Sequence, residues 1–202
     1  MNRIPKYFPV LVLLACLAPA GAQKLDPARW SLTLDRAAAP PGAKVLAKLE
    51  VVLEEGWHLY SPTTPPGGPI PTRIELEPNP AVSGFLVYQR PPVTKFDPNF
   101  KIDTETYEKE TAFLIETALA EGAPLGSVAI NVRVRYQLCT DKLCLPPVRK
   151  TATATLTINP SAPVQPMAIP EGYVAIGETV SVQTAASSPV PEPTAAPAKP
   201  AG

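Results

Sequence analysis

Between residues 127 and 137 the chain alternates more strictly than anywhere else. Val128, Ile130, Val132, Val134 and Tyr136 fall on one side, and Asn131, Arg133, Arg135 and Gln137 on the other. A period of two marks a strand with one buried face. The same pattern predicts strands over Arg29–Asp35, Lys44–Leu53, Thr72–Leu76, Val82–Tyr88 and Thr111–Ala118, and another starting at Trp57-His58-Leu59-Tyr60. A last strand with one wet face is expected where Thr151, Thr153, Thr155 and Thr157 alternate with Ala152, Ala154, Leu156 and Ile158. Pro40-Pro41-Gly42 and Glu54-Glu55-Gly56 read as turns. Pro62 to Pro71 reads as a proline-rich loop, and Pro91-Pro92 as the start of a second loop, which carries Phe96-Asp97-Pro98-Asn99-Phe100. Residues 173–182 form a weak candidate for one more strand. No segment keeps a helical period, and about seven to nine short strands predict an all-β antiparallel sandwich.

Composition sharpens this picture in one respect. Among 202 residues there are 28 prolines and 11 glycines, which suits short strands and irregular loops and argues against a helical bundle. The 18 basic and 18 acidic side chains cancel, so bulk charge gives no support for nucleic acid or an anionic membrane as partner.

The ends differ from the middle. Arg3 and Lys6 precede the short apolar run Val10–Ala18, and Ala20-Gly21-Ala22 has the small-residue pattern of a cleavage site. Residues 1–22 are expected to be a secretory signal, its apolar run being short for a membrane span. Leu13-Leu14-Ala15-Cys16 is an imperfect lipobox, so a lipid anchor at Cys16 is the alternative. Residues 23–160 are expected to form the folded domain. From 161 to 202 the composition shifts to proline, alanine, serine and threonine, as in a flexible, polyproline-like tail.

With the signal removed, Cys139 and Cys144 are the remaining cysteines, with four residues between them in Cys139-Thr140-Asp141-Lys142-Leu143-Cys144. An exported chain can oxidise such a pair. As a staple the bond is weak, because closing so small a ring contributes only about 2 kcal/mol in the chain-entropy model. As a metal clip the pair lacks ligands: His58 is the sole histidine, a closed zinc site usually takes four donors, and copper(I) can manage with two or three. As a redox dithiol the locality is an asset, since the ring can open at little cost to the fold. Lys142 favours a thiolate, and Asp141 opposes it. The residues alone leave these three readings open.

Tyr136-Gln137-x-Cys139, four residues, Cys144-x-Pro146-Pro147 resembles the active-site segment of the N-terminal periplasmic domain of the thiol:disulfide interchange protein DsbD. Gly56-Trp57-His58-Leu59-Tyr60-Ser61 and Gly68-Pro69-Ile70-Pro71-Thr72 are similar to two further stretches of that family, in the same order. The resemblance covers approximately Trp30 to Ile158. It implies an immunoglobulin-like sandwich with the cysteines at one end, and electron relay in the periplasm by thiol–disulfide exchange with thioredoxin-like proteins, including those of cytochrome c maturation. It implies a Cys139–Cys144 disulfide, Cys144 as the attacking thiol and Cys139 as the resolving one. It also implies a cap in which Phe100 shields the pair, with Trp57 and Tyr60 as neighbouring aromatics. No cofactor and no metal are expected. The ring is one residue shorter than in the family pattern, and Asp97 is the only carboxylate near the cap aromatic. The family's membrane carrier and thioredoxin-like domain are not expected within this chain, and the donor is expected to be a separate membrane thiol carrier. Two rival expectations are a non-catalytic immunoglobulin-like binding or assembly module with a local structural disulfide, and a copper-handling protein.

Overall fold

The computed structural model describes residues 25–181. The expected signal segment, Cys16 and the end of the chain from residue 182 lie outside the described residues. Among these residues thirteen strands run in chain order: β1 (Ala28–Leu34), β2 (Ala38–Ala39), β3 (Lys44–Leu53), β4 (His58–Tyr60), β5 (Arg73–Leu76), β6 (Val82–Gln89), β7 (Val93–Asp97), β8 (Ile102–Glu108), β9 (Glu110–Leu119), β10 (Gly126–Tyr136), β11 (Leu138–Cys139), β12 (Val148–Ile158) and β13 (Val174–Ser181). Among the described residues there is no helix, and so none long and apolar enough to cross a membrane.

The architecture is an all-β, immunoglobulin-like sandwich. One main sheet has the order β1-β3-β9-β6-β13 and the other β2-β12-β10-β5. Every pairing is antiparallel except the two-residue β2–β12 contact. Alternation explains which face turns inward. Val45, Ala47, Leu49, Val51 and Leu53 of β3 are buried on one side, and Ile130, Val132, Val134 and Tyr136 of β10 on the other. Phe113, Ile115, Leu156 and Ile158 complete the core between them. Fully burying each such side chain is worth about 1.5–3 kcal/mol, so the stability of the domain resides here.

A third, smaller sheet, ordered β11-β4-β8-β7, grows from one end of the sandwich. It is built from continuations of core strands. β8 runs into β9 through Lys109, whose left-handed φ of 62° bends the chain from one sheet to the other. β10 passes through Gln137 into β11, and β3 turns at Glu54-Glu55-Gly56, with Gly56 at φ 81°, before β4. That shared origin places the cysteine segment on a rigid base outside the main core.

Two elements differ from expectation. Pro91-Pro92 opens a hairpin, not a loop: β7 pairs with β8 from Val93↔Thr106 to Asp97↔Ile102. Both strands are polar, and Val93 and Phe96 are exposed, so no alternation announces them. The weak candidate strand is present as β13, beyond residue 160, and pairs with β6 from Val174↔Gln89 to Ser181↔Gly84.

Candidate functional site

Cys139 and Cys144 are joined by a disulfide. Cys139 is the last residue of β11, held against β4 by the register Leu138↔Leu59 and Cys139↔His58. The intervening turn is closed by its own backbone, with Thr140 N–H donating to Leu143 O at 2.8 Å and Leu145 N–H to Leu138 O at 2.9 Å. Thr140 Oγ1 accepts the N–H groups of Lys142 and Leu143, both at 3.2 Å. Threonine serves here because its short hydroxyl can reach backbone donors two and three residues on. Gln137 braces the base: its Oε1 accepts Ile70 N–H at 3.0 Å, and its Nε2 donates to Leu145 O at 3.2 Å.

The two sulfur-bearing residues are not equivalent. Cys139 is 0% exposed, whereas Cys144 is half-buried on the outer limb of the ring.

Above the ring stands the β7–β8 hairpin. Its turn is organised by Asp97, whose Oδ1 accepts Asn99 N–H at 2.8 Å and Phe100 N–H at 3.3 Å. Lys101 follows in the left-handed region at φ 59°, and its N–H returns to Asp97 O at 2.7 Å. Asn99 Nδ2 then donates to Thr140 O at 2.8 Å, which joins the hairpin tip to the cysteine ring. Phe100, half-buried, meets Tyr60 edge-on with ring centroids 6.1 Å apart.

Beneath them lies a buried polar trio. Tyr60 Oη donates to Asp97 Oδ2 at 2.5 Å, and His58 Nε2 lies 3.1 Å from the same hydroxyl. The hydroxyl has one proton and gives it to Asp97, so His58 Nε2–H is the donor to Tyr60. All three residues are almost fully buried, at 3% (His58), 0% (Tyr60) and 2% (Asp97) exposure. A buried carboxyl group is costly without partners, and here three donors compensate it. Burial lowers the His58 pKa first and the Lys95 charge lowers it further, while Asp97, Asp141 and Glu108 pull it up. Burial, followed by the bond to Asp97, pushes the Tyr60 hydroxyl far above its ordinary value.

The family assignment follows from the chain itself. Residues 31–156 match the family described as thiol:disulfide interchange protein DsbD, N-terminal. The chain belongs to this family. Among solved structures, the DsbD-family chain is similar to the N-terminal periplasmic domain of ScsB from Proteus mirabilis, at 22% identity and a TM-score of 0.48, over 66% of this chain and 47% of that one. It thus spans about half the length of that structure. It is also similar to Spo0M, a sporulation control protein from Bacillus subtilis, at 13% identity and a TM-score of 0.33, over 66% of this chain and 50% of that one. No curated protein matches the chain.

Of the residues singled out from the sequence, Cys139, Cys144, Tyr60 and Phe100 come together at this end of the DsbD-type domain. Trp57 lines a hollow that it shares with His58, Lys95, Glu108 and Asp141. His58 is placed by the β4–β11 pairing directly opposite Cys139, a proximity the linear sequence does not show. Its Nε2 is committed to Tyr60, and among the described residues no group of three or more His, Cys, Asp or Glu side chains is arranged to hold a metal. Asn99, Gln137 and Thr140 bind the site together; Gln137 belongs to the motif that carries the resemblance, whereas Asn99 and Thr140 carry no sequence signal beyond their position beside the cap aromatic and the cysteines.

Proposed function

We propose that this chain is an exported, periplasmic thiol–disulfide exchange domain that reduces thioredoxin-like oxidoreductases through Cys139 and Cys144. The observation that carries the reading is the unequal exposure of two bonded cysteines on a small ring outside the core. Exchange needs one sulfur that a partner can reach and a second that closes the ring behind it.

In the reduced state the Cys144 thiolate attacks a disulfide of the partner. A Cys144–partner bond forms, and the partner's first sulfur leaves as a thiolate. The Cys139 thiolate then attacks Cys144 Sγ, which breaks the mixed disulfide, frees the partner's second thiolate and re-forms Cys139–Cys144. Two electrons pass to the partner, and the protons given up by the two cysteines end on its thiols. A separate membrane dithiol carrier returns the electrons by the same exchange in reverse. Phe100 and Tyr60 shield the ring, Asn99 holds the shield closed, and Trp57 borders the approach.

Equilibration of the protein with dithiol–disulfide buffers tests this reading. A reduction potential at or above about −270 mV, the thioredoxin range, is expected. A potential well below about −300 mV would mark a structural bridge and favour a non-catalytic binding module.

A further inference from the structure

The outer face of the β2-β12-β10-β5 sheet changes character along its length. At one end β12 presents Thr153, Thr155 and Thr157. At the end nearest the cysteines the neutral residues give way to arginine. Arg73 of β5, Arg135 of β10 and Arg149 of β12 are direct register partners, so three arginines stand in one row across adjacent strands. Arg133, two residues back along β10, is paired with Glu77 at 2.8 Å. Among the described residues, no ion pair is formed by Arg73, Arg135 or Arg149. With Arg133 and a single carboxylate, Glu75, they line one open hollow of about 400 Å³.

Like charges set directly opposite one another on a sheet are destabilising, and threonine would satisfy a solvated face without that cost. The row also has a fixed relation to the disulfide. Arg135 lies four residues before Cys139 and Arg149 five residues after Cys144, while Arg73 follows the loop that Gln137 holds through Ile70. Four residues of strand span roughly 13 Å. A standard protein interface covers about 800 Å² a side, so a footprint centred on Cys144 would reach about 16 Å from it and take in the row. Guanidinium forks match carboxylates in pairs, and a clustered positive patch beside a reactive sulfur speeds the encounter with a negative surface.

We propose that Arg73, Arg135 and Arg149 form a docking strip for an acidic surface beside the reactive cysteines of the protein that exchanges disulfides with Cys144. The strip rests on the exchange reading above and names the partner's chemistry: carboxylates flanking its disulfide.

The test uses disulfide-linked dimers of short peptides whose cysteine is flanked by aspartate and glutamate or by glutamine and asparagine. Second-order rate constants with the reduced full-length protein are measured at about 0.01 M and about 1 M ionic strength, where the Debye length is about 30 Å and about 3 Å. The wild type is expected to reduce the acidic peptide about tenfold faster than the neutral one at low salt, with the advantage gone at high salt. In the triple variant Arg73→Gln, Arg135→Gln, Arg149→Gln the ratio falls to about one, whereas Arg29→Gln, at an exposed position of β1, keeps it. The single variant Arg135→Gln, at the centre of the row, lowers the ratio in the same direction and serves if the triple variant does not fold. An acidic advantage that is absent in the wild type, or that survives in the triple variant, overturns the strip while leaving exchange with the neutral peptide intact. Arginine-dependent binding to phosphatidylglycerol vesicles without any peptide preference also overturns it, by assigning the face to lipid. If neither peptide is reduced, the exchange reading itself fails, and the strip fails with it.

Discussion

Among the described residues, the one side-chain hydrogen bond between the cap hairpin and the cysteine ring runs from Asn99 Nδ2 to Thr140 O, at 2.8 Å. Both residues lie at the surface end of the site, so the bond contributes little to global stability, on the order of 0.5 kcal/mol. Its consequence is kinetic. Asn99→Ala is expected to speed reduction of the disulfide by a small thiol several-fold while leaving the unfolding midpoint nearly unchanged. Phe100→Ala acts through the same cap, so the double variant is expected to gain less than the sum of the two. Stopped-flow reduction kinetics check both statements. Equal rates for Asn99→Ala and wild type would show that the cap does not control access.

Tyr60→Phe removes a proton donor from buried Asp97 and an acceptor from buried His58 in one step. Leaving buried polar groups without partners costs about 1–3 kcal/mol, and urea denaturation is expected to show a loss of that size with an unchanged slope. A loss under about 0.5 kcal/mol, the size of an ordinary surface substitution, would mean that the trio is not a stabilising unit.

The histidine of that trio sets a pH dependence. Burial, then Lys95, lowers the His58 pKa below its ordinary 6.5. Between the lowered native value and 6.5 the unfolded chain binds more protons than the folded one. Stability therefore rises with pH across that window: it is complete above the unfolded value and is lost as pH falls below it. Denaturation at about pH 7.5 and about pH 5.5 is expected to show this loss in the wild type and a smaller one in His58→Gln. An identical loss in both proteins would assign the pH dependence to other groups.

Reduction of the disulfide is expected to leave the sandwich folded. The core is made by β3, β9, β10 and β12, and the six-residue ring closes outside it. Opening so short a loop costs about 2 kcal/mol in the chain-entropy model. Thermal unfolding of the oxidised and reduced protein compares the two directly. A reduced protein that is unfolded at room temperature would make the bridge structural.

The sandwich was legible because its central strands alternate: Ile130, Val132, Val134 and Tyr136 mark the inward face of β10, and Val45, Ala47, Leu49, Val51 and Leu53 that of β3, where Leu46 and Val52 blur the period. The cap hairpin was not, because β7 and β8 bury few apolar side chains and follow a double proline that reads as a loop. The cysteine pair was visible from spacing and flanking residues, and Phe100 and Tyr60 from the family resemblance. The place of His58 depends on β4 pairing with β11, a contact between residues about eighty positions apart that no local pattern encodes. Likewise the arginine row exists only once three strands are set in register. Arg133 and Arg135 are visible as a stripe on β10, whereas Arg73 and Arg149 join it by pairing.

Trapping of the mixed disulfide measures the central claim most directly. Cys139→Ala and Cys144→Ala are each reduced, mixed with an oxidised thioredoxin-fold protein, quenched with acid and weighed by mass spectrometry. The account predicts a covalent adduct through Cys144 in Cys139→Ala and almost none in Cys144→Ala, whose remaining sulfur is buried. Adducts of equal yield, or none from Cys139→Ala while the wild type exchanges freely, would contradict it.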